Sequence, residues 1–132
     1  SFKVVDITNL KPVAPIVRVA DYIDARLKSI AITDELTADV DIGVFNENIH
    51  AYSGAVADSA EAGDNNVVSM TVEANDPNAV IVVKNGANVV AASEGVYALT
   101  LTAGANVITI TSTVGATEQE AYVVVLNYTP IV

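Results

Sequence analysis

Two groups of acidic residues are the first places in this 132-residue chain where side-chain type and spacing could do chemistry. Asp34, Glu35, Asp39 and Asp41 fall in one short stretch, and Asp58, Glu61, Asp64 and Asn65 in another. Carboxylates and amides gathered in this way suit a hard cation, because calcium takes about six to eight oxygen ligands. Calcium is therefore the candidate metal, with Asp34, Glu35, Asp39, Asp41, Asp58, Glu61 and Asp64 the candidate ligands. Neither stretch has the Asp-x-Asp/Asn-x-Asp/Asn-Gly spacing of an EF-hand loop, so the competing reading is solubilising charge on exposed loops.

Catalysis has less to draw on. His50 is the sole histidine, so any Ser-His-Asp arrangement must run through it. Cys is absent, which removes disulfides, thiolate metal sites and a thiol nucleophile. His50 stands just before Tyr52 in a run that reads as a turn entering a strand, the setting of a surface histidine. Carboxylates are plentiful enough for a glycosidase pair, but such an enzyme needs a sugar-shaped cleft, usually walled by aromatics. The chain has no Trp, five Tyr and two Phe. The expectation is a protein that is not an enzyme and needs no cofactor, calcium being the one candidate.

Sugar binding is the rival from another class. Binding modules stack sugar rings on exposed Tyr or Trp faces. Tyr52, Tyr97 and Tyr122 fall on the apolar sides of their strands, which leaves Tyr22, Tyr128, Phe2 and Phe45 as candidates for an exposed platform.

Charge narrows the partners. Sixteen acidic residues against six basic ones give a net charge of -10. That field repels phosphate backbones and anionic membrane surfaces, so no nucleic-acid partner is expected. The longest apolar run, Ala121 to Leu126, is far short of the roughly 20 residues of a membrane span. Membrane insertion is not expected either. The opening Ser1-Phe2-Lys3 is neither an initiator Met nor a signal peptide, and it reads as a module within a longer protein.

The elements that must position these residues are strands. Between Val96 and Tyr128, Tyr97, Leu99 and Leu101 share one side, then Asn106, Ile108 and Ile110, then Tyr122, Val124 and Leu126. Gly104 and Gly115 mark the intervening turns. Period-two alternation broken by Gly-containing turns predicts a three-strand antiparallel meander with one buried face. Asn106 is a polar residue on that face, and its amide is expected to bond the backbone of a neighbouring turn.

Upstream, Leu27–Thr33 reads as a strand with Ile30 and Ile32 inward, followed by a polar excursion over Asp34 to Asp39 with one helical turn. A strand over about Ala51 to Val56 comes next, then an acidic loop from Asp58 to Asn66, then a strand from Val67 to Ala74. Asn75-Asp76-Pro77-Asn78 is a turn. Ala79 to Lys84 is a strand, and Asn85-Gly86 predicts a type I′ hairpin returning through Asn88-Val89-Val90. Residues 1–25, interrupted by Pro12 and Pro15, read as an N-terminal extension, a linker or an edge strand at Ile16 to Val19. Residues 26–132 form one domain. The expected fold is an all-β, immunoglobulin-like antiparallel sandwich of about seven strands. Its expected core is Ile30, Ile32, Tyr52, Val68, Met70, Val72, Ile81, Leu99, Leu101, Ile108, Ile110, Tyr122 and Val124.

From about residue 27 to 127 the landmarks resemble the cadherin-like β-sandwich family of bacterial surface and secreted proteins. Leu27, Ile30 and Ile32 match its opening strand, and Phe45 with Tyr52 its Phe followed seven residues later by Tyr. Val68 to Val72, Asp76-Pro77, Ala79 and Asn85-Gly86 follow in the family's order. Gly104, Asn106, Ile108, Ile110, Gly115, Tyr122, Val124 and Leu126 match its closing signature. The long loop from Asp34 to Gly43 and the first two dozen residues depart from the pattern.

The resemblance implies a non-catalytic structural or adhesive module, a spacer or lattice domain of an extracellular, cell-surface bacterial protein such as a surface-layer protein. It has no catalytic residues to carry over, and the calcium motifs of true cadherins are missing. Expected partners are neighbouring domains of the same chain or lattice, with cell-wall glycan as a further candidate. The alternative is a carbohydrate-binding accessory module of a secreted polysaccharide-degrading enzyme. A decoration domain of a phage particle is a third reading.

Overall fold

The computed structural model describes residues 24–60, 63–116 and 118–131. The expectations for Phe2, Tyr22, Pro12, Pro15 and Ile16 to Val19 lie outside the described residues, as does Glu61. Among the described residues eight strands are formed: β1 (Leu27–Thr33), β2 (Ala51–Ala57), β3 (Val67–Ala74), β4 (Val80–Asn85), β5 (Asn88–Val90), β6 (Tyr97–Thr100), β7 (Gly104–Val114) and β8 (Glu118–Thr129). They form a three-stranded sheet, β1-β3-β6, and a five-stranded sheet, β2-β8-β7-β4-β5. The result is the β-sandwich expected from the sequence. All pairings are antiparallel except β2 with β8, which is parallel.

The core lies between the sheets. Leu27, Ile30 and Ile32 from β1, Val68 and Met70 from β3 and Leu99 from β6 meet Tyr52, Val83, Ile108, Ile110, Tyr122, Val124 and Leu126 from the other sheet. These are inward positions of alternating strands, whose apolar faces find cover only in each other. Val72, Ile81 and Tyr97, expected in the core, are partly buried and pack against it. In β4 the fully buried residue is Val83, one period further along than Ile81.

Strand β1 departs from strict alternation. Its register with β3 shifts between Leu27 and Ser29. This bulge lets Leu27, three residues before Ile30, point inward as well.

The meander expected from Val96 to Tyr128 is corrected by the pairing. Only β7 and β8 form a hairpin there. β6 pairs with β3 in the other sheet, so the chain crosses the sandwich between Leu101 and Gly104 instead of turning back. A strand facing β7 across the core and one lying beside it have the same inward alternation, so the pattern does not tell them apart.

Two local expectations are corrected as well, and the turn at Asp76-Pro77 is met. Asp34 to Asp39 holds no helical turn; it is a tight turn in which Asp34 N donates to Ala38 O at 2.9 Å and Thr37 N to Asp34 O at 3.1 Å. The β4–β5 loop is Gly86-Ala87, closed by the Asn85–Asn88 pair. Only Gly86 takes positive φ, at 63°, so the loop lacks the second positive φ that a type I′ turn requires. The Pro77 turn has Pro77 second of four, with Ala79 N bonded to Asp76 O.

Candidate functional site

The two acidic stretches meet at one end of the sandwich, where β1, β2 and β8 finish. Asn65 joins them and is only 2% exposed. Its side-chain Nδ2 donates to Asp34 Oδ2 at 3.0 Å and to Ala57 O at 3.2 Å, and its Oδ1 accepts from Glu35 N at 2.8 Å. Its backbone N donates to Asp58 Oδ1 at 2.8 Å. Asp58 also accepts from the Tyr128 hydroxyl at 2.5 Å and from Ile131 N at 3.1 Å.

Asp34, Glu35 and Asp58 are therefore engaged with donors of the protein itself. Asp34 Oδ1 accepts from Leu36 N and Ala38 N, both at 2.9 Å, and Glu35 Oε1 from Val67 N at 2.9 Å. Burial pushes the Asp34 carboxyl up, but the Asn65 amide and the backbone donors outweigh it and hold it below the ordinary value. The Tyr128 hydroxyl does the same for Asp58, and the reciprocal effect raises Tyr128 to about 12.

Of the sequence candidates, the structure brings together Asp34, Glu35 and Asp58. Asp64 is exposed beside them. Asp39 and Asp41 stand apart, on a stretch that lines a shallow cavity of about 340 Å³ with Ile30, Ile32, Val40 and Ile42. Asp41 accepts from Gly43 N at 2.8 Å. Among the described residues, no three His, Cys, Asp or Glu side chains gather so as to hold a metal ion.

At the opposite pole, where β1 and β2 begin, stacked rings lie among ion pairs. Phe45 stacks on Tyr52 with centroids 5.5 Å apart, and His50 on Tyr122 at 4.5 Å. The Tyr122 hydroxyl accepts from Leu27 N at 3.1 Å and donates to Glu47 O at 2.7 Å, so one ring ties the two sheets and the loop between them. His50 Nε2 lies 2.6 Å from Glu120 Oε1. Both its polar edge and its ring face are thus taken up in packing. Arg26 pairs with Asp24 at 2.9 Å and with Glu47 at 3.2 Å.

The expectation of exposed stacking surface at Tyr128 and Phe45 is corrected. Tyr128 is 8% exposed, and Phe45 is half-buried against Tyr52. Among the described residues every Phe and Tyr ring is buried or half-buried. Alternation carried from Tyr122 through Val124 and Leu126 would have placed Tyr128 inward. Asn65, the hub of the acidic pole, stood in the sequence only as one member of the second acidic stretch, with no sign that it would join the two.

Asn106 behaves as expected. Its Nδ2 donates to Thr102 O at 2.8 Å, Gly104 O at 3.0 Å and Leu126 O at 3.1 Å, and its Oδ1 accepts from Thr102 N at 2.9 Å. It thereby pins the β6–β7 crossover to β8.

No protein-family model matches this chain, and no curated protein was found to match it in sequence.

Proposed function

We propose that this protein is a non-catalytic, load-bearing spacer or lattice module of a bacterial extracellular, cell-surface protein, as its resemblance to cadherin-like domains suggests. The observation that carries the reading is the direction of the chain. It enters β1 at the aromatic pole beside Arg26 and leaves β8 at the acidic pole, where Asp58 holds Ile131 N. Neighbours attached at the two sides would be held apart by the length of β8, roughly 40 Å at about 3.3 Å per residue.

The latches at each pole support the same reading. Tyr122 grips Leu27 just where the chain enters, and Asp58 grips Tyr128 and Ile131 just where it leaves. Tension applied along the long axis would load the cross-strand hydrogen bonds of β8 with β2 and β7 in shear, many at once.

The test is single-molecule force spectroscopy on the full chain. Handles at its two ends are compared with handles at Ala105 and Asn127, which lie side by side in the β7–β8 register and would peel those strands bond by bond. The expected result is one cooperative rupture at clearly higher force for end-to-end loading. Equal or lower force end to end overturns the spacer reading, because a domain that yields first along its own axis cannot hold neighbours apart.

A further inference from the structure

The outer face of the five-stranded sheet has no role in the reading above. Its outward positions carry no acidic residue, and Lys84 is their one charge. In a chain with sixteen acids and a net charge of -10, a whole sheet face without a carboxylate stands out. Four large apolar side chains are exposed on it: Val80 at 62%, Val82 at 38%, Val89 at 67% and Val107 at 47%. The register lines them up with small or β-branched neighbours, Val107 beside Val125 and Val82 beside Thr111. The outer face of the three-stranded sheet differs. It presents Ser69, Thr71 and Glu73, and no large apolar side chain of its strands is exposed.

We propose that this face is a contact surface between two copies of this chain, stacked sheet on sheet. Charge selects the occupant. Two copies of charge -10 approaching by their poles or loops set carboxylate against carboxylate, whereas here they meet without one. A basic partner would find nothing on this face to pair with. Identical sheets share the same twist, so two of them stack at about -30° with about 10 Å between them. Lys84 lies one strand in from the β5 edge and falls near the rim of such a contact.

Area sets the strength. Five strands about 4.8 Å apart and roughly eight residues long cover on the order of 600 Å² on each copy. A standard stable interface takes about 800 Å² per partner, so this contact belongs with weak, reversible ones. Weak contacts of this kind become effective when many copies are held in an array. The inference stands on the composition of the face and not on the spacer reading. The force measurement above reads single molecules, so either can fail without the other.

Sedimentation velocity on the full chain, from about 10 µM to about 1 mM, tests it at affinities typical of weak contacts. The wild-type chain is expected to shift from monomer to dimer across that range. Added salt should promote dimerisation, since it screens the repulsion of the rest of the surface. Val107→Lys and, separately, Val82→Lys should each raise the dimer dissociation constant at least tenfold. Thr71→Lys on the opposite face should leave it unchanged, and circular dichroism melts would verify that every variant folds. A wild-type chain that stays monomeric at 1 mM overturns the proposal. So does a folded Val107→Lys that dimerises like wild type, or a dimer that salt dissolves, which would place the contact among charges.

Discussion

Asn106 sits where the chain crosses from one sheet to the other, and its single amide serves carbonyls of Thr102, Gly104 and Leu126 together with the Thr102 amide. Asn106→Ala strands several of these groups at a site that is 7% exposed. The expected loss is about 2–4 kcal/mol, the range for leaving buried polar groups unpaired. Urea denaturation should show a lower midpoint at unchanged slope. Ser112 is the opposite case. Its hydroxyl is fully buried in β7 and has no hydrogen-bond partner among the described residues. Ser112→Ala removes that orphan and should stabilise the fold by about 0.5–1 kcal/mol, read as a higher midpoint in the same assay.

At the scale of elements, the stretch from Val40 to Gly43 closes the side of the sandwich between the edge strands β1 and β2. It runs so close to β2 that a Cβ built at Gly54 would lie 2.8 Å from Asp41 O and 3.0 Å from Ile42 Cγ2. Only glycine tolerates that approach, and the obstacle includes backbone, which cannot swing away. Gly54→Ala is therefore expected to destabilise the protein by about 1–3 kcal/mol, as overpacking does. Thermal unfolding measures this, and hydrogen exchange should show the loss of protection concentrated at β2 and Val40. The same side also explains the bulge in β1. By turning Leu27 inward it frees the Leu27 N–H to reach the Tyr122 hydroxyl, which joins an edge strand of one sheet to an interior strand of the other.

For the whole molecule, the polar latches make stability depend on pH at both ends of the scale. The hydrogen bond from Tyr128 lowers Asp58, and that from Arg26 lowers Asp24, each below its ordinary 3.8. A depressed carboxylate contributes stability that is present above that ordinary value and is lost as pH falls through the lower folded value. Unfolding should therefore become easier below about pH 4, and Asp58→Asn should flatten that limb. Tyr128 is raised to about 12 by its bond to Asp58, and burial raises Tyr122 as well. A raised phenol contributes stability that is complete below its ordinary value of 10.0 and is lost as pH climbs toward 12. Urea midpoints measured against pH should show this alkaline limb, and Tyr128→Phe should reduce it. A flat profile from pH 3 to 12 would contradict the latch geometry at both poles.

The inward alternation of Val68 and Met70, of Ile108 and Ile110 and of Tyr122 and Val124 was enough to predict the sandwich, because a two-residue period states which side of a strand is buried. The Asn106 role was legible for a related reason, since a polar amide on an apolar face at a strand start must find backbone partners. Alternation carries no record of which strand lies alongside. The transfer of β6 to the three-stranded sheet and the parallel pairing of β2 with β8 were decided by how the two sheets close around one core. The acidic pole depended on that closure too. Asp34 and Asp58 are far apart along the chain and look like free charge until the ends of β1, β2 and β8 converge and Asn65 binds them together. The sequence alone determined where the strands run and which faces are apolar. Only the tertiary structure decided which strands became neighbours, because pairing and pole contacts join residues whose separation along the chain leaves no periodic trace.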